Sequence, residues 1–591
     1  MIKMLLALLL PAIMLAGHTA VRPGLAESLP PDGEETAPLP QTLNLEGGNL
    51  PAARVANTKL DDALARLVQA QDRATTAVDD GLRLEAGRVQ TQLVVASGGE
   101  EAARAAVVAA GGEVTGALED ILQAWLPPDQ LVELAAQPEI DAIRRPDSIV
   151  LAEGDAMTAT SEGVAAGGAT AWHEAGWRGQ GTRIAIIDGG FQGYAARLGV
   201  DLPQTVTVKN FVDGQSDTGV GAPGESKHGT ACAEIAFDMA PLAEMYLLKI
   251  STDVDLNEAI DYAISNNIDI ISTSLTFINA TPGDGTGRFA TMAQRARNAG
   301  ILWVTAAGNY REAHWGGAFT DGDGDSLHEY APGVEVNVFG PGNGTAFLIP
   351  AGTSLSPSIR WNDWTAVNQD LRLLLLRHNG STFEIVASSN TSQTGQAGQR
   401  PTERISYITS GAAAIYGVAI QRNIGSRAVH MHLLTPNREL DRRVPAISLG
   451  NLADVAAVMT TAAVDVNVPF VREAYSSEGP TNGPGGAPDG GFLKPDIAAF
   501  ANVTTASYGT RVFNGTSAAT PHVAGAAAIV LSAYPTALPG EVQDYLQSHA
   551  VNQGIAGPDP QFGHGRLLLG APPGPWDYDN HLYIPIVLAS P

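Results

Sequence analysis

The chain of 591 residues is acidic: 62 Asp and Glu residues oppose 35 Lys and Arg, which gives a formal net charge of -27 at pH 7. Such a charge disfavours nucleic acid and anionic membranes as partners, because both repel a negative protein. The only cysteine is Cys232, so an intramolecular disulfide is excluded. The acidity is consistent with a protein that stays soluble outside the cell.

The first 20 residues predict a signal peptide. One lysine is followed by the apolar run LLALLLPAIMLAG, which is too short and too early for a membrane span and ends in small residues. We therefore expect a secreted protein and no membrane span. Residues 21–85 begin with many Pro, Glu, Ala and Asp residues and predict a linker that ends in a short helix.

Residues 86–150 predict a small α+β domain. From Thr91, the segments TQLVVAS, EEAARAAVVAAGG, EVTGALEDI, LQAWLP, PDQLVELAAQP and IDAIRRP alternate as strand, helix, strand, strand, helix, strand. This order is typical of a ferredoxin-like fold.

Residues 165–315 and 441–570 predict an α/β fold. Strand patterns such as AEMYLLKI, IDIISTSL and ILWVTAAG alternate with the helical patterns DLNEAIDYAISNN and GRFATMAQRARNAG. Alternation of this kind predicts a doubly wound parallel sheet covered by helices.

Two polar residues of this region are candidates for a site. Asp188 ends a predicted buried strand and precedes Gly189 and Gly190, at the strand end where open parallel sheets form their sites. By itself, Asp-Gly-Gly is more often a plain turn. His228 opens the helical segment HGTACAEIAFDMAP, and by itself it is an ordinary histidine at a helix N-terminus.

Composition changes between residues 316 and 440. Short alternating strands, including DLRLLLLR, FEIVASS, AIYGVAIQR and AVHMHLL, are separated by turns of Asn, Gly, Ser and Thr, which predicts an inserted all-β sandwich. Asp321, Asp323 and Asp325 offer carboxylates at alternate positions, a spacing that calcium favours. A structural calcium site and a solvated acidic turn are equally expected here.

The stretch FNGTSAATPHVAGAAAIVL predicts a buried helix with an unusual start. From Ala518 onward its composition is small and aliphatic, and Gly515 and Thr516 are turn and cap residues. Ser517 then lies at the positive end of the helix dipole, flanked by residues too small to cover it, which suits a nucleophile. By itself, Gly-Thr-Ser is most often an ordinary helix cap.

Taken together, IIDGG, HGTACAEI and GTSAATPHVAG occur in the order Asp, His, Ser and resemble the subtilisin-like serine proteases, the subtilases of peptidase family S8. The Ser segment departs from the family pattern only at Ala518, where methionine is usual. The Asp segment has Gly189 where Thr or Ser is common. ILWVTAAGN, which ends in Asn309, is a fourth match. The resemblance implies a subtilisin-like fold and a serine endopeptidase that acts on proteins or peptides.

The same resemblance implies a role for each matched residue. Ser517 attacks the scissile carbonyl, His228 carries the proton and Asp188 holds the imidazole in the right tautomer. Asn309 and the backbone N–H of Ser517 hold the oxyanion. Substrate-binding residues are implied at Ser274, Leu275, Thr276, Ala307 and Gly308. Thr276 stands where glycine is usual, so its side chain is expected to narrow the entrance of the P1 pocket. No cofactor is required for this chemistry.

The resemblance also interprets the flanking segments. Residues 86–150 are similar to the inhibitory propeptide of subtilases, with cleavage expected between 146 and 165; a separate binding domain is the alternative. The inserted sandwich is similar to prepeptidase C-terminal domains, and a protease-associated domain is the alternative. Residues 571–591 predict a tail that is either a cell-surface retention signal or a docked strand.

Two functions remain open on the sequence alone. One is an active secreted endopeptidase made as a self-processed precursor, and the other is a catalytically silent subtilase scaffold that binds ligands through the inserted domain. The four matched polar residues favour the first, whereas Gly189, Thr276 and Ala518 keep the second open. Cys232 is expected to be a buried structural thiol in preference to a thiol-sensitive site. His522 is interpreted as a packing residue.

Overall fold

The computed structural model describes residues 34–45, 59–149 and 160–575. The predicted signal peptide, most of the predicted tail and residues 150–159 of the expected cleavage region lie outside the described residues. Among the helices that the structure describes, none is both long and apolar enough to cross a membrane.

The amino-terminal part contains one short strand and an α+β unit. Its elements are β1 (Thr36–Pro38), α1 (Asp62–Gln69), α2 (Arg73–Asp79), β2 (Leu84–Glu85), β3 (Arg88–Val95), α3 (Glu100–Ala109), β4 (Glu113–Leu118), β5 (Ile121–Leu126), α4 (Leu131–Ala135) and β6 (Ile140–Arg144). Strands β4, β5, β3 and β6 lie side by side in that order, and every pairing is antiparallel. We call residues 59–149 the amino-terminal unit.

The structure differs from the prediction that residues 21–85 are a linker ending in one short helix. Two helices, α1 and α2, are present, and they pack on the sheet of the same unit. Leu64 and Leu67 of α1 are fully buried in one cluster with Leu93 and Ile143 of the sheet. An apolar stripe on α1 therefore joins this helix to the core that follows it.

The first part of the α/β core runs from residue 160 to the end of β11. Its elements are α5 (Gly163–Ala166), α6 (Ala169–Glu174), β7 (Arg183–Asp188), β8 (Thr207–Asn210), α7 (His228–Met239), β9 (Glu244–Lys249), α8 (Asp253–Ser265), β10 (Ile270–Thr273), α9 (Arg288–Asn298) and β11 (Leu302–Ala306).

The inserted region is a β structure built on two larger sheets. Its strands are β12 (His314–Ala318), β13 (Asn337–Val338), β14 (Thr345–Phe347), β15 (Ser354–Leu355), β16 (Ser358–Trp361), β17 (Asp370–His378), β18 (Phe383–Ser389), β19 (Thr402–Arg404), β20 (Tyr407–Ile408), β21 (Tyr416–Ile424) and β22 (His430–Leu434). Two four-stranded antiparallel sheets, β12-β22-β16-β19 and β13-β21-β17-β18, share one apolar core. Strands β15 and β20 pair separately, and β14 pairs with β1. We call this region the β insert.

The chain then returns to the α/β core. The remaining elements are β23 (Met459–Asp465), β24 (Ile497–Ala501), β25 (Val503–Thr505), β26 (Gly509–Phe513), α10 (Gly515–Ala533) and α11 (Pro539–His549). The central sheet has seven strands in the order β24-β23-β11-β10-β7-β9-β8, and all its pairings are parallel. The predicted doubly wound α/β fold is confirmed.

Strand order locates the functional edge of this sheet. The chain begins the sheet at β7, builds β8 and β9 on one side, and then crosses to β10 and β11 on the other. The carboxyl end of β7 is therefore at the point where strand order reverses, the usual ligand site of such sheets. Asp188 is the last residue of β7.

Helices α7 and α10 cross in close contact below this edge. A Cβ atom at Gly525 of α10 would lie 2.3 Å from Met239 Cβ and 3.2 Å from the Ala236 carbonyl oxygen, and both of these residues belong to α7. Only glycine therefore permits this approach.

Replacing Gly525 by alanine should push α10 away from α7 and lower the free energy of unfolding by about 1–3 kcal/mol, the usual cost of overpacking. Thermal unfolding in a Ser517→Ala background, which removes the predicted nucleophile, measures the change. Gly540→Ala is the matched control, because an added Cβ there meets only the end of the Arg297 side chain, at 3.4 Å. An equal effect of both substitutions would contradict the packing argument.

Candidate active site

Asp188 and His228 form a buried pair at the carboxyl edge of the sheet. Asp188 Oδ2 lies 2.8 Å from His228 Nδ1, and both side chains are fully buried. The Gly189 N–H donates to Asp188 Oδ1 at 2.8 Å, so the glycine at this position leaves the carboxylate engaged on both oxygens. Burial lowers the pKa of His228, but the charge and hydrogen bond of Asp188 together with the contact of Cys232 outweigh burial and raise this pKa well above 6.5.

Close backbone packing fixes this pair. A Cβ atom at Gly229 would lie 2.6 Å from the Phe191 ring and 2.7 Å from Asp188 Cβ. The Gly229 N–H also donates to the Gly190 carbonyl at 3.1 Å. Because residue 229 has no side chain, α7 can begin directly against the end of β7 and bring His228 to Asp188.

Ser517 lies in the first turn of α10, next to the same pair. Its hydroxyl donates to the Ser274 carbonyl at 3.1 Å. Cys232 Sγ lies 3.7 Å from the Ser517 carbonyl oxygen and 3.9 Å from His228 Nδ1, so the starts of α7 and α10 converge. His228 Nε2 is buried, and no group of the described residues forms a hydrogen bond with it. This nitrogen is therefore available to a hydroxyl that turns away from Ser274.

Asn309 follows β11 and is held by the start of α10. Its Oδ1 accepts hydrogen bonds from the backbone N–H and the hydroxyl of Thr516, both at 3.0 Å. The amide oxygen is thus engaged, which orients the NH₂ group as the donor. The backbone N–H of Gly515, the residue before Thr516, donates to the Tyr475 hydroxyl at 2.8 Å.

Two of the predicted substrate residues contact the start of α10. The Ser274 hydroxyl donates to the Ser517 carbonyl at 2.9 Å. The Gly308 N–H donates to the Thr516 hydroxyl at 3.2 Å. Both residues follow central strands of the sheet, so the strand ends and the helix start surround a single cleft.

The other three predicted substrate residues are buried beside this cleft. Leu275 and Ala307 have 2% and 0% of their surface exposed. The Thr276 hydroxyl donates to the Asn451 carbonyl at 3.0 Å. A Cβ atom added at Gly450 would lie only 1.9 Å from the Thr276 hydroxyl oxygen. The Thr276 side chain therefore lies against residues 450–451, and a narrowed pocket remains a prediction.

His522 lies on α10 beyond Ser517 and contacts neither His228 nor Asp188. Its Nδ1 is 2.8 Å from the Ala518 carbonyl oxygen and its Nε2 is 2.7 Å from Ser161 Oγ. Burial lowers its pKa to about 4, so the ring is neutral at physiological pH. These contacts agree with a packing role.

The acidic triplet of the β insert is a separate cluster. One carboxylate oxygen from each of Asp321, Asp323 and Asp325 lies within 4.8 Å of the others. Asp321 also accepts the N–H groups of Gly324 and Ser326, at 2.8 and 3.1 Å. These bonds order the loop, and calcium binding remains a prediction.

Two features of the site were not identified from the sequence. Tyr475 is 40 residues from Gly515 along the chain, and no local spacing connects them. The second feature is the segment 251–253. It directly follows Ile250, whose N–H donates to the Asp188 carbonyl at 2.9 Å. A capping box of Thr252 and Asp255 starts α8 there, and the pattern Thr-x-x-Asp after a predicted strand is the signal that locates it.

A buried Asp-His pair, a serine at a helix start and an adjacent amide donor define a site of the serine hydrolase type. The sequence profile of the subtilase family matches residues 179–565, more than half of the chain. The chain therefore belongs to the subtilase family.

Individual relatives match shorter stretches. Subtilisin DY of Bacillus licheniformis is 35% identical over 122 residues, which are 21% of this chain and 38% of that protein. A subtilisin of Bacillus pumilus is 39% identical over 77 residues, 13% of this chain and 26% of that protein. A thermostable alkaline protease of Halalkalibacterium halodurans is 25% identical over 273 residues, 40% of this chain and 69% of that protein. The match thus spans well under half of the two subtilisins.

Among solved structures, that of the Clostridium perfringens CspB protease aligns with a TM-score of 0.47 and 16% sequence identity. The alignment covers 69% of this chain and 97% of that chain.

Cys232 should behave as an unreactive thiol in the folded protein. It is fully buried, and burial raises the pKa of its thiol above 9.0, so little thiolate forms at neutral pH. We expect Ellman's reagent to react at least a hundredfold more slowly with native protein than with protein unfolded in guanidinium chloride. Comparable rates in the two states would show that the thiol is accessible.

Proposed function

We propose that this protein is a serine endopeptidase that hydrolyses peptide bonds through an acyl-enzyme. The observation that carries the proposal is the buried 2.8 Å contact between Asp188 and His228 beside the first turn of the helix that holds Ser517. In this mechanism the Ser517 hydroxyl turns from the Ser274 carbonyl to His228 Nε2. His228 takes the proton as Ser517 Oγ attacks the carbonyl carbon, and then returns it to the leaving amine. Water next gives a proton to His228 as it attacks the acyl carbon, and His228 returns that proton to Ser517 Oγ as the acid product leaves.

The developing oxyanion has two donors in this proposal. One is the backbone N–H of Ser517, at the positive end of α10, and the other is the side-chain NH₂ of Asn309. Thr516 holds the Asn309 oxygen at 3.0 Å, so the amide does not have to reorganise when charge develops. Loss of one such donor typically costs about 10²- to 10³-fold in kcat.

A catalytically silent scaffold is the alternative function, and the site geometry disfavours it. A buried charge such as Asp188 strongly destabilises the folded protein when its partner is removed. A binding protein could avoid this destabilisation if apolar residues replaced both Asp188 and His228. The chain instead keeps both residues, with no direct partner for His228 Nε2 among the described groups. An unpartnered nitrogen at this position is needed if His228 Nε2 is to accept the proton of a catalytic hydroxyl.

We also propose that the protein is secreted as a precursor. The amino-terminal unit would be the propeptide, and its packing on the core supports this reading: Gln92 donates to Asp253, and Gln123 donates to Asp255 at 3.2 Å, at the start of α8. Self-cleavage between residues 146 and 165 would then separate the two bodies. The β insert is proposed to be accessory, and its acidic triplet to be a calcium site that stabilises its loop.

Replacing Ser517 by alanine should abolish hydrolysis and processing. We expect casein turnover to fall by about 10⁶-fold and fluorophosphonate labelling to disappear. Edman sequencing over time should show wild type shortened between residues 146 and 165 and the variant at full length. Ser532→Ala is the matched control, because Ser532 lies on the same helix and donates only to the Ile529 carbonyl. Wild type that neither labels nor processes would overturn the proposal.

The pH profile should follow His228. This histidine must be neutral to accept the proton, and Asp188 raises its pKa well above 6.5. We expect kcat/KM for a neutral peptide to rise with pH and to reach half its maximum above pH 6.5. Asp188→Asn removes the charge that raises this pKa, so the midpoint should move to lower pH while the rate falls about 10⁴-fold. An unmoved midpoint would assign the transition to another group.

A further inference from the structure

A buried ion cluster joins the amino-terminal unit, the α/β core and the β insert. Asp147, 2% exposed, lies at its centre. Its Oδ2 is 2.8 Å from Arg400 Nη1 and its Oδ1 is 2.7 Å from Arg404 Nη2, both in the β insert. Arg288 at the start of α9 also pairs with Asp147 Oδ2. One carboxylate is thus held by three guanidinium groups from two different parts of the protein.

The backbone around Asp147 is bound as an extended peptide. The Asp253 N–H donates to the Asp147 carbonyl at 3.2 Å, and the Ile149 N–H donates to the Ser251 carbonyl at 3.1 Å. Ser148 and Thr252 form the antiparallel bridge between these bonds. Main-chain pairing of this kind holds a peptide whatever its side chains are.

The segment 147–149 runs towards the functional edge of the central sheet. Asp147 lies opposite Asp253, and Ile149 lies opposite Ser251, which follows Ile250. The Ile250 N–H in turn donates to the Asp188 carbonyl at 2.9 Å. The chain from 147 to 149 therefore runs towards Asp188, in the sense expected for residues on the amino-terminal side of a scissile bond.

We propose that Arg288, Arg400 and Arg404 form a substrate subsite for an acidic side chain, in the position that Asp147 takes, on the amino-terminal side of the cleaved bond. The proposal rests on the proposed peptidase function and adds a substrate class to it: peptides with Asp or Glu at this position.

Charge balance supports an acidic ligand. When the amino-terminal unit leaves, it removes Asp147 and also Arg144, the fourth cation near this carboxylate. Arg288, Arg400 and Arg404 then remain, and Arg288 keeps its 2.6 Å contact with Asp253. Among the described residues, these three guanidinium groups are then opposed by one carboxylate, which leaves an excess of positive charge in a partly buried site. An anionic side chain satisfies it, whereas an apolar one leaves hydrogen-bond donors without partners.

The β insert supplies two of the three arginines of this subsite. Arg400 and Arg404 belong to the segment that enters and forms β19, and they are 17% and 28% exposed. Arg400 donates to both carboxylate oxygens of Asp147, and Arg404 donates to Oδ1. A contact that engages both oxygens distinguishes a carboxylate from an amide of the same shape. The insert therefore contributes to substrate selection in this proposal.

Internally quenched peptides that copy residues 142–161 test the proposal. Four versions carry Asp, Glu, Asn or Leu at position 147, and the processed enzyme is assayed with each while mass spectrometry identifies the cleaved bond. We expect kcat/KM for the Asp and Glu peptides to exceed that for the Asn and Leu peptides at least tenfold, with one cleaved bond that lies after position 147.

The variants Arg400→Gln and Arg404→Gln, combined in one protein, should reduce this preference to less than threefold, by lowering kcat/KM for the Asp and Glu peptides. Arg377→Gln is the matched control in the same insert, because Arg377 donates to the Ala412 carbonyl and not to Asp147. This control should keep the full preference.

The outcomes separate the two levels of the proposal. Casein hydrolysis with equal cleavage of all four peptides, or with none of them cleaved, would overturn the acidic subsite and leave the peptidase function standing; the arginines would then only hold the amino-terminal unit. The wild-type comparison decides this even if the double variant does not fold. Absence of both fluorophosphonate labelling and casein hydrolysis would instead overturn the peptidase function itself.

Discussion

The close packing of α7 against α10 is the constraint on which the site depends. His228 begins one helix and Ser517 lies in the first turn of the other, so the separation of these side chains follows from how closely the two helices approach. Gly525 permits that approach at Met239, and Gly229 permits the start of α7 to touch the end of β7. The catalytic geometry is therefore a property of the buried core, and small residues at these contacts are needed for function as well as for packing.

The sequence predicts the parts of the site that depend on local chain geometry. Asp188 ends a strand, and His228 and Ser517 begin helices, so a short motif contains both the residue and the turn that presents it. Tyr475 could not be found in this way, since its partner Gly515 is distant along the chain. The cluster around Asp147 is still less accessible to sequence analysis, because its partners lie in two other parts of the fold and no periodic pattern relates them.

The β insert originates at the functional edge for a topological reason. It leaves the core after β11 and returns before β23, and these two strands are parallel neighbours in the sheet. A segment that leaves from the carboxyl end of β11 starts at the edge where Asp188, Asn309 and Ser517 meet. Its contacts with the amino-terminal unit follow from this origin: Arg145 donates to the Arg404 carbonyl at 3.2 Å, and the Asn390 N–H donates to Asp62 at 3.1 Å.

The positive charge of Arg288, Arg400 and Arg404 is concentrated at one place in a protein that is acidic overall. The full chain carries a net charge of -27, and acidic residues also outnumber basic ones in the part that remains without the amino-terminal unit, so an acidic peptide is repelled at long range. Salt at physiological concentration screens that repulsion beyond about 8 Å. The contacts of Asp147 are all shorter than this distance and partly buried, where screening is weak. Selection for an acidic side chain would therefore arise after encounter, through slower dissociation of the bound peptide and not through faster association. A protein that is acidic overall can in this way favour acidic substrates, provided that the positive charge is concentrated at the one position where the peptide is held.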